Sequence, residues 1–245
     1  MKPQLLQQQL LVHFLIVYNL TALDQDAIAA EKTRLASESN QDVIKAIKVQ
    51  KIYPNGFKAL YDLSFGVEKG QIFCILGPNG AGKTTTFNVI TGKIPINTGK
   101  IYIKNQDPSQ AHQTTGICLE TDTLWNSLTI KQHLEVYAGI RGLKKPETKL
   151  AVGYLLEALG LEEYGEKRII ELSGGTKRKV CVALSIIGAP DTILLDEPTT
   201  GVDPKGRSQI WNLLKSIVKK KEATLIMSTH YMEDVELVAD KLGNG

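Results

Sequence analysis

The 245-residue sequence predicts an α/β fold with a parallel β-sheet at its core. Two observations lead to this fold class. Apolar runs typical of buried strands alternate with amphipathic segments of helix length, most clearly from Thr192 to Leu242, and strands that alternate with helices pair in parallel. A glycine-rich loop, "GPNGAGKT" at Gly77 to Thr84, stands between a buried strand and a helix. That setting is typical of a phosphate-binding loop.

The composition is that of a packed globular chain. Hydrophobic residues make up 42% and charged residues 22% of the chain, proportions that exclude an intrinsically disordered protein. A net charge of +3 implies neither nucleic acid nor an acidic partner. The cysteines Cys74, Cys118 and Cys181 are isolated, without zinc or disulfide spacing. Their pattern favours a reducing compartment such as the cytosol.

The first 42 residues differ from the rest of the chain. "LLVHFLIVYNL", Leu10 to Leu20, is apolar but is interrupted by His13, and it is shorter than the ~20 residues that span a bilayer. It has three interpretations: an interfacial helix, the end of a membrane helix, or an ordinary packing helix. The stretch "DQDAIAAEKTRLASESN" that follows is charged and reads as a linker. We therefore interpret residues 1–42 as an apolar segment followed by a charged linker. The interpretation of this region as the remnant of a juxtamembrane segment stays open.

Strand patterns begin at Val43. "VIKAIKVQK" and "ALYDLSFGV" alternate apolar and polar residues, as half-buried strands do, and the turn "YPNG" lies between them. The tight turn "EKG" leads into "QIFCIL", the buried strand before the phosphate loop. Farther along, "TILL" and "ATLIMS" read as buried strands, and Lys205 to Lys220 and Tyr231 to Leu242 read as helices. These elements complete the α/β pattern.

The phosphate loop carries the strongest single chemical signal. Its glycines permit the tight path that points successive amide groups inward, and the following helix "KTTTFNVITG" adds its electropositive end. Lys83 would reach the β- and γ-phosphates of a nucleotide, and the Thr84 hydroxyl would bind Mg²⁺. The sequence therefore predicts a nucleoside triphosphate site.

Polar residues follow three other predicted strands, at the edge where open α/β sheets bind ligands. "TILLDEP" ends in Asp196, which can hold magnesium, and Glu197, which can polarise the attacking water. His230 follows "ATLIMST" and can contact the γ-phosphate, although a histidine there can also serve packing or capping. Glu120, after "GICL", can contact the metal or be a surface acid.

A second glycine turn, "LSGGTKRK" at Leu172 to Lys179, opens a helix. Ser173 can cap that helix, and Gly174 and Gly175 leave backbone amides uncovered at its electropositive end. The helical segments "LTIKQHLEVYAGIRG" and "PETKLAVGYLLEALGL" precede it. Within one chain the turn would duplicate groups already present, so it is better suited to a nucleotide held by a second copy. The basic run Lys177 to Lys179 is also compatible with an ordinary solvated helix face.

These motifs resemble the nucleotide-binding domains of ABC transporters. The phosphate loop, "LSGGT", "TILLDEP", "TTGVDP" and "STH" occur in the order found in that family, over roughly Val43 to Leu242. "LSGGTKRK" and "CLETDTLWNSLT" are most similar to the A subfamily, large exporters associated with lipids. The resemblance implies a P-loop NTPase with a RecA-like parallel-sheet core, an antiparallel β subdomain and an inserted helical subdomain at about 121–188.

The resemblance also assigns the remaining site residues. It implies that Tyr53 stacks on adenine, for which a flat ring is suited, and that Asp203 lies at a dimer seam. The catalytic set is Glu197, His230 and Lys83, and the metal set is Thr84, Asp196 and Glu120. The other ATP-binding residues that it implies are Gly77, Pro78, Asn79, Gly80, Ala81, Gly82, Thr85, Ser173, Gly174 and Gly175.

The implied activity is ATP hydrolysis with Mg²⁺. Two such domains would close head to tail around two ATP and drive transport through transmembrane domains, with lipid as the substrate that the A subfamily implies. The chain is therefore expected at the cytosolic face of a membrane and without nucleic acid as a partner. We expect residues 43–245 to form this domain, without the strand and helices with which the family continues. Glu120 departs from the family's glutamine, and Leu119 from its proline. An alternative is therefore a half-site that binds nucleotide without hydrolysing it.

Overall fold

The computed structural model describes residues 12–16, 33–35, 37, 41–111, 114–231 and 233–234. The strands are β1 Val12–Ile16, β2 Ile44–Ile52, β3 Lys58–Val67, β4 Ile72–Leu76, β5 Thr98–Ile103, β6 Thr115–Cys118, β7 Thr192–Leu195 and β8 Thr224–Thr229. The helices are α1 Lys83–Ile90, α2 Pro108–Ala111, α3 Ile130–Ile140, α4 Lys145–Leu159, α5 Gly174–Ile186 and α6 Pro204–Lys221, with 3₁₀ turns at Glu162–Tyr164 and Ile169–Glu171.

A five-stranded parallel sheet in the order β1-β4-β8-β7-β6 forms the core. Successive residues of β4 face opposite sides: Cys74 joins the cluster beneath the helices, whereas Phe73 and Ile75 join the cluster beneath the antiparallel sheet. All residues of β7 and β8 are buried. Because both faces are covered, these strands read as continuous apolar runs. The predicted α/β fold with a RecA-like parallel core is confirmed.

A three-stranded antiparallel sheet in the order β3-β2-β5 packs against that core. The alternation in β2 buries Ile44 and Ala46 on one face, as its sequence predicts, and a bulge near Lys48, whose φ is +49°, brings Val49 into the same cluster. Strand β5 was not predicted, because only its last residues alternate, with Ile101 and Ile103 buried. The antiparallel subdomain implied by the resemblance is present.

Helices α3, α4 and α5 form a helical layer between β6 and β7 in the chain. Thr129 opens α3 with a capping box, in which its hydroxyl accepts from the Gln132 amide at 3.2 Å. Leu134 of α3 and Leu155 of α4 are buried in the same cluster as Val180 of α5. The inserted helical subdomain is therefore present, and the helices stabilise one another by burying their apolar faces.

The apolar N-terminal segment forms a strand where a helix was expected. Val12–Ile16 pairs in parallel with Ile72–Leu76, in the register Val12 opposite Ile72. The three helical interpretations of this segment are wrong for residues 12–16, since a short apolar run does not by itself distinguish strand from helix. The flanking residues 10–11 and 17–20, and most of the helix predicted after Tyr231, lie outside the described residues. Within the part of the chain that the structure describes, no helix is long and apolar enough to cross a membrane.

Candidate nucleotide site

The phosphate loop connects the carboxyl end of β4 to α1. Gly80 and Gly82 have φ values of +85° and +92°, which glycine adopts without strain. A Cβ at Gly80 would meet nothing within 4 Å, whereas one at Gly82 would lie 3.0 Å from the Ala59 carbonyl oxygen. The loop is thus backed by β3 on one side and open on the other. Gly77 is buried, Ala81 and Thr85 are half-buried, and Pro78, Asn79 and Thr84 are exposed.

Lys83 is buried at the first turn of α1 and points its amine back across the loop. Its Nζ donates to the carbonyl oxygens of Gly77 at 2.7 Å and Pro78 at 3.2 Å. The same nitrogen lies 3.5 Å from Glu197 Oε1. A cation in this position, beside an open glycine loop, suits the phosphates of a nucleotide.

Asp196 and Glu197 follow β7 and are held by Ser228 of the neighbouring strand β8. The Ser228 hydroxyl donates to the Asp196 carboxylate and accepts from the Glu197 backbone amide at 2.9 Å. Burial raises the pKa of Asp196, and the charges of Glu120 and Glu197 raise it further. The hydrogen bond from Ser228 lowers this pKa and offsets part of the increase. Asp196 therefore lies in a site where a positive charge would be favourable.

The Glu197 side chain connects the phosphate loop to the end of β8. Its Oε2 accepts from Thr200 Oγ1 at 3.2 Å and lies 2.8 Å from His230 Nδ1. Because a carboxylate only accepts, Nδ1 carries the hydrogen in this contact. Glu197 itself has a φ of +51°, an uncommon conformation that costs about 1 to 2 kcal/mol for a residue other than glycine. Such strain is found at functional sites when neighbouring contacts hold it in place.

Glu120 lies over the start of α1. Thr84 Oγ1 donates to Glu120 Oε2 at 3.3 Å. Oxygen ligands from one hydroxyl and carboxylates form the donor set that Mg²⁺ prefers, and the charges of Glu120 and Glu197 add to the effect of burial in raising the pKa of Asp196. Thr84, Asp196 and Glu120 therefore fit a magnesium ion.

The Ser173 turn begins α5 and is built differently at its two glycines. Ser173 Oγ accepts from the Thr176 amide at 3.2 Å and caps the helix. A Cβ at Gly174 would meet nothing within 4 Å, whereas one at Gly175 would lie 2.6 Å from the Gly201 carbonyl oxygen. Gly174 therefore leaves the helix end open, and Gly175 allows the turn to pack against the loop after Glu197.

A cavity of about 410 Å³ lies beside this turn. It brings together the segment after β6, the start of α5 and the loop after Glu197. Its lining residues are Glu120, Asp122, Ser173, Gly174, Gly175, Arg178, Thr200 and Gly201. Residues of the phosphate loop are not among them, but Glu120, which lines the cavity, accepts a hydrogen bond from Thr84 at the end of that loop.

The basic run after the turn is not a solvated face. Arg178 is only 4% exposed. Its guanidinium donates to the backbone carbonyl oxygens of Leu119, Glu120, Asp196 and Glu197. Lys179 Nζ donates to the Leu159 carbonyl oxygen at 3.0 Å and to Gln209 Oε1 at 2.8 Å. The alternative of an ordinary wet helix face is therefore wrong for these two residues, because their donors replace water with protein acceptors.

Tyr53 and Asp203 lie at the periphery. The Tyr53 hydroxyl is 3.2 Å from Thr85 Oγ1, and its half-buried ring stacks on Phe57 with centroids 6.4 Å apart. This contact brings Tyr53 to the start of α1, as a role beside a bound nucleotide requires. Asp203 caps α6 by accepting from the Gly206 amide at 3.1 Å, and that hydrogen bond lowers the pKa of its carboxyl.

Ser228, Arg178 and Asp234 were missed by the sequence reasoning. Asp234 is fully buried, and it accepts from Trp211 Nε1 at 3.1 Å and from the hydroxyls of Thr229 and Thr199. It thereby ties the end of β8 to α6 and to the loop after Glu197. The available signals were the serine within "IMSTH" and the acidic residue four positions after His230.

Residues 60–200 match the family model described as ABC transporter. Among curated relatives, ATP-binding cassette sub-family A member 10 from Homo sapiens is 42% identical over 190 residues, which cover 75% of this chain and 12% of the relative. The cholesterol transporter ABCA5 from Homo sapiens is 34% identical over 210 residues, 84% of this chain and 12% of that protein. The chain thus spans about 12% of the length of these relatives.

Solved structures agree with the fold. The dimeric ATP-binding cassette MJ0796, in a post-hydrolysis state bound to ADP and Pi, has a TM-score of 0.72 and 25% identity, covering 79% of this chain and 90% of that chain. The cbiO1 protein from Clostridium perfringens, part of the transporter complex cbiONQ, has a TM-score of 0.69 and 29% identity, covering 81% of this chain and 82% of that chain.

Proposed function

We propose a function that starts from the family: this chain belongs to the ABC transporter family as one of its ATP-binding cassettes. On this proposal the chain hydrolyses ATP with Mg²⁺ and thereby drives transport across a membrane. The single observation that carries the hydrolytic part is the position of the Glu197 carboxylate. It lies 3.5 Å from Lys83 Nζ and 2.8 Å from His230 Nδ1. One acid thus stands between the lysine of a phosphate loop and a histidine of a neighbouring strand end.

The proposed mechanism assigns each group one task. Lys83 holds the β- and γ-phosphates of ATP, while the amides of the loop around Gly80 surround them and Tyr53 covers the adenine. Glu197 accepts a proton from the attacking water, which it can do because its second oxygen is fixed by Thr200 and His230. His230 orients Glu197 and directs its other ring nitrogen to the γ-phosphate.

Thr84, Asp196 and Glu120 would hold a magnesium ion, which would neutralise charge on the transferred phosphoryl group. The contact between Thr84 Oγ1 and Glu120 Oε2 and the electrostatic interaction between Glu120 and Asp196 support this ligand set.

A second copy completes each site in this proposal. The open Gly174 amide and the Ser173 cap border a space without phosphate-loop residues, so they are suited to the γ-phosphate of a nucleotide held by another chain. The dimeric state of the MJ0796 cassette supports the pairing of two cassettes. In this proposal the two close head to tail around two ATP, with Asp203 at the seam. Hydrolysis would then reopen the pair.

Transport is proposed from the relatives. The cholesterol transporter ABCA5 suggests a lipid substrate, and cbiO1, as part of the transporter complex cbiONQ, suggests assembly with other subunits of a transporter. On this account the partners are a second ATP-binding cassette and transmembrane domains, and the chain lies at the cytosolic face of a membrane.

The test compares Mg-ATP turnover of the wild-type chain with that of Glu197→Gln. The amide keeps the size of the side chain but cannot take a proton, so we expect turnover to fall by roughly 100-fold or more, the range of a general base. Nucleotide binding should remain, and the variant should accumulate as an ATP-bound dimer in size-exclusion chromatography. Glu171→Gln, a change in an exposed 3₁₀ turn, is the matched control.

A half-site that binds nucleotide without hydrolysing it is the second candidate. The observation that favours it is the Glu120 carboxylate beside Thr84, which adds negative charge where phosphate binds. If the wild type binds Mg-ATP but neither turns it over nor dimerises, this candidate replaces the hydrolase.

A further inference from the structure

Arg178 is a buried cation whose donors go to the main chain of the catalytic loops. Its Nη1 donates to the Leu119 carbonyl oxygen at 2.6 Å and the Glu120 carbonyl oxygen at 3.2 Å. Its Nε donates to the Glu197 carbonyl oxygen at 3.0 Å, and its Nη2 donates to the Asp196 carbonyl oxygen. One guanidinium therefore joins the ends of β6 and β7 to helix α5.

These contacts fix backbone and leave the acidic side chains available. The carboxylate in ion-pair range of Arg178 is that of Asp122, 3.8 Å from Nη1, within the described part of the chain. The planar fork of five N–H groups suits several acceptors at once. Arg178 thus sets the positions from which Glu120, Asp196 and Glu197 extend their side chains.

Glu197 depends on this arrangement more than its neighbours do. Its φ of +51° is disfavoured for a residue with a side chain, and both of its backbone polar groups are engaged. Ser228 accepts from its amide at 2.9 Å, and Arg178 donates to its carbonyl at 3.0 Å. The Thr200 amide also donates to that carbonyl oxygen, at 3.3 Å. Without Arg178, the shorter of the two hydrogen bonds to the carbonyl, and the one that comes from another element, would be lost.

The same helix begins with the Ser173 turn. Arg178 lies five residues after Ser173, within α5. The turn also touches the loop after Glu197 through Gly175, whose Cβ position is 2.6 Å from the Gly201 carbonyl oxygen. A displacement of the turn would therefore act on the Glu197 loop at two points, Arg178 and Gly175.

We propose that Arg178 is a positioning residue that couples the Ser173 turn to the Glu197 backbone of the same chain. The consequence of this coupling rests on the proposed function. A ligand that binds at Ser173 and Gly174 would change the position of Glu197, the proposed general base. In a dimer, a nucleotide held by one copy would then influence hydrolysis in the site of the other.

The first test measures hydrogen–deuterium exchange of the full chain and does not require activity. Arg178→Gln removes the charge and most donors, and Arg178→Lys keeps the charge without the fork. We expect faster exchange at residues 118–122 and 194–200 in both variants, larger for glutamine, with α3 and α4 unchanged. Lys177→Gln removes a positive charge from the neighbouring half-buried residue and should match the wild type.

The second test separates binding from turnover. Arg178→Gln should lower kcat for Mg-ATP at least several-fold and leave KM nearly unchanged, and it should flatten the dependence of turnover on ATP concentration if the wild type is cooperative. Arg178→Lys should recover part of kcat. Local exchange unchanged in both Arg178 variants, or increased equally by Lys177→Gln, overturns the proposal. A wild type without turnover counts against the proposed function instead, and the exchange result still decides on Arg178.

Discussion

At the scale of single residues, the site is organised around Glu197. Lys83, His230 and Thr200 contact its carboxylate, and its main chain is held by two further groups. The side chain thus has few orientations left, and a general base needs such fixation because proton transfer depends on geometry before it depends on pKa.

Glu120 is the residue whose replacement tests the metal site. Glu120→Gln removes one of the two acidic charges that add to the effect of burial on the pKa of Asp196, and it keeps an acceptor for Thr84. Because the carboxylate repels phosphate but is also a proposed Mg²⁺ ligand, we expect ATP without Mg²⁺ to bind more tightly by about 1 kcal/mol, the scale of one close charge pair in water, and the gain in affinity on adding Mg²⁺ to become smaller. Titration with a fluorescent ATP analogue, with Mg²⁺ and with EDTA, measures the change. Unchanged affinity and unchanged turnover would exclude a role for this carboxylate.

At the scale of elements, α3 and the loop before it depend on a neutral histidine. His133 is fully buried, its Nε2 accepts from the Trp125 amide at 2.9 Å, and its Nδ1 donates to the Thr129 carbonyl oxygen. Burial lowers the pKa of His133 below its ordinary value of 6.5. A proton added to Nε2 would remove the acceptor of the Trp125 amide.

The sign of the pH dependence follows from that lowered pKa. Because the folded chain binds the proton more weakly than the unfolded chain, the stabilisation is present above about pH 6.5 and is lost as the pH falls. We expect the unfolding temperature to decrease from pH 7.5 to 5.5, and to decrease less in His133→Gln. Equal slopes for the two proteins in thermal unfolding followed by circular dichroism would contradict this assignment.

Some elements and site residues follow from local pattern, and others do not. "GPNGAGKT" specifies a loop through its glycines, and "TILLDEP" places two acids at a strand end, so Lys83 and Glu197 are predictable from sequence. The role of Arg178 is not predictable from sequence. A basic run has the same local pattern whether its side chains contact water or backbone carbonyls that lie 18 or 59 residues away in the chain. Strand β1 could not be predicted for the same reason, because its partner strand β4 is distant in sequence.

At the scale of the whole molecule, β1 protects the edge of the core sheet. It covers the side of β4 that faces away from β8, and β4 leads directly into the phosphate loop. An uncovered strand edge is a site of aggregation and of lost hydrogen bonds. The N-terminal segment therefore belongs to the folded cassette at residues 12–16, next to the nucleotide site.

Deletion of residues 1–20 tests this contribution. We expect the unfolding temperature to fall by several degrees, since about 1 kcal/mol corresponds to roughly 2–4 °C in a chain of this size, and we expect more aggregation in light scattering. Deletion of residues 1–11 keeps β1 and is the control. A chain without residues 1–20 that matches the control in both measurements would show that β1 stabilises nothing.

The central claim is that each ATP site combines the phosphate loop of one copy with the Ser173 turn of another. The decisive measurement is Mg-ATP turnover of Lys83→Ala, of Ser173→Glu, and of a mixture of the two. Each variant alone lacks one half of every site, and a mixed dimer restores one complete site. We predict two inactive variants and a mixture that recovers part of wild-type turnover. A mixture as inactive as its parents, beside an active wild type, would contradict the shared site.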